Sequence, residues 1–180
     1  MTGEAVLMSP AAEASGPDAT ERLSRLFDTH YDRLYRLARR MSGSTDAARD
    51  AVQDTFLRAA RSPHLVPDGM PSEEAWLVRV LVNICRDEWR KRDVRRRAAF
   101  QLVPERGGNN SESAFVARTA IQQALQSLPP RRRAILVMYE LEGTTIPAIA
   151  ALLGIRAVTV RWHLSVGRNE LARLIGTRHD

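Results

Sequence analysis

The sequence predicts an all-α protein built as two small helical domains joined by a flexible linker. Three observations predict it. Apolar residues recur at three- and four-residue spacing along most of the chain, no useful stretch shows the two-residue alternation of a strand, and one polar, turn-rich segment divides the helical pattern in two. A chain of 180 residues accommodates two such domains, each with a modest core.

Residues 1–19 are rich in Ala, Ser, Gly and Pro without periodicity and read as a disordered tail. From Thr20 a stripe of Leu23, Leu26, Phe27, Tyr31, Leu34, Tyr35, Leu37, Ala38 and Met41 predicts an amphipathic helix that Gly43 ends. Thr45 is placed as the N-cap of a second helix, with Ala48, Val52, Phe56 and Ala59 inside and an end near Ser62 and Pro63. Residues 62–72 hold three prolines and one glycine and are expected to form a loop. Ser72, followed by Glu73 and Glu74, is expected to cap a third helix, whose apolar face is Trp76, Leu77, Val80, Leu81, Ile84 and Trp89. These elements make a first domain over 20–100.

Residues 104–113 carry too few apolar groups to pack, so the linker is placed at 101–114. The second domain, 115–176, opens with a helix from Phe115 to Leu128. Pro129 and Pro130 can start the next helix, because a first-turn residue needs no N–H partner. That helix is expected to run to Leu141 with Ala134, Ile135, Val137, Met138 and Leu141 inward. Gly143 stops it, Thr145 caps a short helix through Leu153, and Gly154 breaks the chain before a last helix from Ala157 to Ile175.

The most informative spacing lies in residues 146–165, where Ile146, Ile149, Ala150, Leu153, Gly154, Ile155, Val160 and Leu164 match a helix-turn-helix. Such a motif needs a small residue where its helices cross, a residue tolerant of positive φ in the turn, and an apolar anchor on the second helix; Ala150, Gly154 and Val160 meet those demands. Since the second helix of this motif enters the major groove, Arg156, Thr159, Arg161, Trp162, His163 and Arg168 become candidate DNA contacts.

Charge points the same way. The formal net charge is +6 and the pI about 10.6, which favours polyanionic partners. Seven of the twelve residues from Arg86 to Arg97 are Arg or Lys, with Trp89 among them, a composition suited to phosphate contact and base stacking. On the second helix Asp46, Asp50 and Asp54 share one face and read as an acidic docking stripe for a basic protein surface. No stretch reaches the roughly 20 apolar residues of a membrane span, so no membrane insertion is expected. The first 20 residues contain no Lys or Arg and lack a secretion-signal pattern, so the expected location is the cytoplasm.

Catalysis is not expected. His30, His64, His163 and His179 are scattered, no pair has metal-ligand spacing, no glycine-rich phosphate loop occurs, and no cofactor is implied. Cys85, the single cysteine, reads as a core thiol. One alternative is a regulator of the LuxR or response-regulator type, since Thr159 to Leu164 (TVRWHL) also suits its output helix; the helical first block, lacking the alternating strands of a receiver domain, speaks against it.

Taken in order, these motifs resemble the sigma-70 family of transcription factors, in particular its extracytoplasmic-function (ECF) group, over nearly all of residues 20–176. The run from Asp50 to Arg61 (DAVQDTFLRAAR) is similar to the family segment that docks on the beta-prime clamp helices of core RNA polymerase, which implies polymerase contacts by Asp50, Gln53, Asp54 and Phe56. The run from Ala75 to Arg92 is similar to the helix that melts and reads the minus-ten element. That likeness implies DNA contacts by Trp76, Arg79, Asn83, Asp87, Arg90 and Lys91. Leu128 to Gly143 with the helix-turn-helix resembles the domain that reads the minus-thirty-five element and touches the beta flap. Trp162 and His163 stand where the family usually has Ser and Arg, and Val158 where it has Gly. The resemblance implies a sigma factor whose partners are core polymerase, promoter DNA and an anti-sigma factor.

Overall fold

A computed structural model of the chain describes residues 17–99 and 113–176, all arranged as helices and short turns. The expected tail and linker fall almost entirely outside the described residues. α1 spans Pro17–Ser42, α2 Thr45–Arg61 and α3 Met70–Ala99; α4 spans Ser113–Ser127, α5 Pro130–Leu136, α6 Ile146–Leu153 and α7 Ala157–Gly176.

α1 buries Leu26, Leu34, Leu37, Ala38 and Met41, the expected stripe, against Ala48, Val52 and Ala59 of α2. Gly43 takes φ 72°, which only a residue without a Cβ adopts at little cost, and the chain reverses there. The cap of α2 is Ser44 rather than Thr45: its hydroxyl accepts from the Ala47 N–H at 3.4 Å, leaving Thr45 as the first helical residue. A short 3₁₀ turn, Pro63–Leu65, interrupts the loop that follows.

α3 starts at Met70, two residues before the expected cap at Ser72. Gly69, at φ 92°, offers its carbonyl to the N–H groups of Ser72 and Glu73 at 3.0 and 2.9 Å, so backbone does the capping. The two glutamates serve another purpose. Glu73 is buried 3.7 Å from His30, and Glu74 pairs with Arg33, tying the start of α3 to α1. The inner face of α3 is Leu77, Val78, Leu81, Val82 and Ile84, while Trp76 and Val80 are half-buried at its edge.

In the second block α5 does not continue as α-helix to Leu141. Val137–Leu141 form a π turn in which the Glu142 N–H reaches the Val137 carbonyl at 3.2 Å, and Gly143 at φ 66° then turns the chain towards α6.

The two blocks meet. One continuous apolar core runs from Leu26 through Leu81 and Ile84 to Ile135, Met138, Ile149 and Leu164, with α3 against α5 and α6 and α1 against α4 and α5. Burying each large aliphatic side chain contributes about 1.5–3 kcal/mol. At the seam the guanidinium of Arg133, 2% exposed, donates to the carbonyls of Met41 in α1, Gln126 in α4 and Leu128, the last at 2.9 Å. Burial pushes it down to about 10, so it remains charged at neutral pH. Around it Arg40 pairs with Glu142 at 3.3 Å, Gln122 donates to the Arg40 carbonyl at 3.1 Å, and Arg79 donates to the Leu152 carbonyl at 3.4 Å.

Candidate nucleic-acid interface

α6 and α7 cross at 106°, within the range of a helix-turn-helix. Local chemistry sets that angle. The Thr145 hydroxyl accepts from the Ala148 N–H, Gly154 adopts φ 64° in the turn, and the Ile155 N–H returns to the Ala150 carbonyl at 3.0 Å. Ile149, Val160 and Leu164 are buried beneath the crossing. Gly167 then lets α7 lie tightly on α5: a Cβ there would stand 2.6 Å from Leu136 Cδ1 and 3.1 Å from Arg132 Cγ.

The exposed face of α7 is Val158, Arg161, Trp162, Ser165 and Asn169. This stripe contains two of the expected DNA contacts and adds three residues that pattern-reading passed over. Arg156 is exposed just before the helix. Thr159 and His163 lie on its flank, about 60–100° beyond Trp162 at 100° per residue, and are only partly exposed. The His163 Nδ1 is buried without a hydrogen-bond partner; burial, with Arg132 and Arg131 close by, pushes the imidazole below its ordinary range. His163 is therefore neutral at pH 7 and edge-on to the Trp162 ring at 4.8 Å. Arg168 is exposed but engaged, paired with Glu140 at 2.7 Å and lying 5.4 Å from the centre of the Tyr139 ring.

α3 carries a second stripe. Trp76, Arg79, Asn83, Asp87 and Arg90 fall within about 80° of one another on the helix, with Trp76 at the edge of the core and Lys91 at the stripe's margin. Arg90 and Lys91 are exposed, and Asn83 and Asp87 partly so. Lys91 is paired with Glu88 at 2.7 Å and Asp87 lies 3.7 Å from Arg86. Arg79 is the member occupied by the second block. Trp89, which composition made a stacking candidate, instead borders a shallow groove with Gln123 and Gln126 of α4.

On α2, Asp46, Asp50, Gln53, Asp54 and Leu57 share one exposed face, with the exposed Arg49, Arg58 and Arg61 at its margins and end. Phe56 is a correction to the expected docking set: it turns inward, 7% exposed, with its ring 5.0 Å from Phe27. The stripe instead gains two apolar neighbours that helical periodicity alone assigns to the core or passes over, Phe27 at 43% exposure and Leu57 at 41%. With Leu23 and Tyr31 they line an open groove between α1 and α2. On the other side, Asp50, Gln53 and Asp54 border a groove of about 560 Å³ shared with Cys85, Glu88, Arg92 and Arg133. Desolvation raises the Cys85 thiol to about 11, so it stays protonated and unreactive at neutral pH.

Among the described residues no helix by itself is long and apolar enough to cross a membrane, and no group of three metal-ligating side chains gathers. The described residues of the first block form helices and turns without a strand, which disfavours the receiver-domain alternative.

The family model for sigma-70 region 2 matches residues 26–95, and that for sigma-70 region 4 matches residues 118–171. The chain is 36% identical over 176 residues to the ECF RNA polymerase sigma factor SigE of Mycolicibacterium smegmatis, covering 94% of this chain and 66% of that protein. It is 33% identical to SigM of Mycobacterium tuberculosis, covering 84% and 76%, and 33% identical to SigL of the same organism, covering 85% and 89%. Its fold is shared with the sigma factor RpoE of Bartonella quintana, solved with the anti-sigma factor NepR, at a TM-score of 0.57 and 23% identity over 89% of this chain and 98% of that one. It is shared too with CnrH, solved with the cytosolic domain of CnrY, at 0.59 and 23% over 93% of each. The α1–α3 block coincides with region 2 and the α4–α7 block with region 4, in that order on one chain, and the chain belongs to the sigma-70 family of RNA polymerase sigma factors, in its ECF group.

Proposed function

We propose that this chain joins core RNA polymerase through the exposed stripe Asp50, Gln53 and Asp54 of α2, with Leu57 beside it, and carries the enzyme to promoters by two DNA contacts. α3 meets the minus-ten element through Trp76, Arg79, Asn83, Asp87, Arg90 and Lys91; α7 meets the minus-thirty-five element. The observation that carries this reading is the segregation of charge: an acidic face on α2, and basic outward faces on α3 and α7, within two matched family regions. Arg79 has to leave the Leu152 carbonyl before it can meet DNA. RNA synthesis then belongs to the polymerase, and this chain works in the cytoplasm as a positioning factor rather than an enzyme. RpoE of Bartonella quintana was solved with an anti-sigma factor, and we propose a protein partner of that kind for this chain.

The test is run-off transcription by core polymerase with and without the chain on a genomic promoter library. Specific transcripts are expected only with it. Asp50→Lys with Asp54→Lys should abolish both transcripts and co-purification with polymerase while helicity is retained, because two like charges would then face the basic clamp surface. Unchanged co-purification would remove the docking assignment.

A second expectation concerns strand opening. Asn83→Ala or Arg90→Ala should reduce open-complex formation on duplex promoters more than on templates already mismatched at minus ten, since only the duplex requires unpairing. Equal losses on both templates would show that these residues do not act in opening.

A further inference from the structure

Val158 and Trp162 are two large apolar side chains left in solvent on the outward face of α7, at 60% and 55% exposure. Four residues apart, they are neighbours on one helical face, in the first two turns after the 106° bend. Those turns are the part of a recognition helix that reaches base edges. Exposed single apolar residues are common, but this pair stands beside Arg161 and near Arg156, with no unpaired carboxylate on the same face among the described residues. An apolar pair inside a positive surface calls for a partner that is anionic outside and apolar at its recognised edge.

We infer that Val158 and Trp162 form an apolar contact for thymine methyl groups in the major groove of the upstream promoter element, with Arg132 as the residue that positions the indole. The C5-methyl of thymine is the apolar feature a major groove offers, so it is the chemistry this pair can recognise. The indole is held in place beforehand. The Arg132 guanidinium lies 5.5 Å from the indole centre and is itself fixed by Glu170 at 2.6 Å, while the His163 ring packs against the indole at a steep interplanar angle. A side chain ordered by its own domain loses less freedom on binding, which lets an exposed tryptophan act as a rigid template. This inference rests on the reading of α7 as a promoter-binding helix and deepens it, because hydrogen-bonding residues alone would not distinguish thymine from uracil.

The test uses the full chain with core polymerase on a promoter fragment recovered from the run-off experiment. Each thymine of the upstream element is replaced singly by deoxyuridine, which removes the methyl and leaves the base-pairing and hydrogen-bonding edges unchanged. At one or two positions the wild-type complex should bind about three- to fivefold more weakly, the factor expected for losing one buried methyl contact. Trp162→Ala and Val158→Ala should weaken thymine-containing sites by a similar factor and make uracil indistinguishable from thymine there. Trp162→Phe should keep part of the methyl preference, and Arg132→Met should reduce it. An upstream footprint without methyl sensitivity at any position overturns this inference alone, and so does methyl sensitivity that both alanine variants retain, or alanine variants that weaken binding only to an acidic protein. Absence of any upstream footprint, with transcription still dependent on the chain, overturns the promoter-binding reading of α7 beneath it.

Discussion

Arg133→Ala is expected to destabilise the chain by about 3–5 kcal/mol, because three carbonyls lose a charged donor and each buried polar group left unsatisfied costs about 1–3 kcal/mol. The guanidinium satisfies carbonyls at the ends of two helices, Met41 at the close of α1 and Gln126 and Leu128 around the end of α4. Last-turn carbonyls have no partner within their own helix, and they carry the negative end of its dipole. Alanine would leave three acceptors dry and open a cavity where α3, α4 and α5 converge. Methionine, close in volume, should recover the packing part but not the hydrogen bonds. Lysine should recover little, because one compact ammonium cannot span acceptors placed for a planar fork. The check is urea unfolding followed by tryptophan fluorescence, with thermal midpoints expected to fall about 2–4 °C per kcal/mol. A loss under about 1 kcal/mol for Arg133→Ala would mean the seam does not depend on this residue.

Gly167→Ala is expected to cost about 1–3 kcal/mol, against the usual direction for such a change inside a helix. Alanine ordinarily stabilises a helix interior by roughly 1 kcal/mol over glycine, and Gly167 sits at an ordinary helical position of α7. The added methyl would approach Leu136 Cδ1 to 2.6 Å and Leu136 Cγ to 3.2 Å, and Leu136 is only 2% exposed, with nowhere to rotate. Either α7 lifts from α5 or the leucine leaves its rotamer. Leu136→Ala alone should cost about 2–5 kcal/mol through the cavity it leaves. Combined with Gly167→Ala it should cost less than the sum, because the new methyl enters the space vacated. Additive losses measured by chemical unfolding would show that the two residues do not share that space.

Much of this molecule is legible in its residue order, and the legible part is local. The stripes of α1 and α2, the helix stops at Gly43, Gly143 and Gly154, and the cap at Thr145 all follow from interactions within about four residues. Errors at that scale were small and had local causes: Ser44 caps in place of Thr45, and Gly69 together with Pro71 starts α3 early. The recognition of α6–α7 as a helix-turn-helix was legible for the same reason, since its demands fall on a small residue, a positive-φ turn and one anchor. Its exposed neighbours Ser165 and Asn169 carry neither charge nor an aromatic ring, so only helical phase marks them as part of the outward face.

What the sequence determined by itself was the helical class, the order of the elements and the chemistry each face carries, because helical periodicity is a property of a few consecutive residues. Only the tertiary structure decided which of those faces are available. It left Phe27 largely open beside the buried Phe56 ring, tied Arg168 to Glu140, engaged Arg79 with Leu152, and closed the two blocks on one another through Arg133. Each of these contacts joins residues from different helices, and a charge or an aromatic ring has the same local spacing whether it meets solvent, a helix end or another ring. The choice is made by close packing and by the cost of leaving buried polar groups unpaired, and those are set jointly by all the helices that meet at the seam.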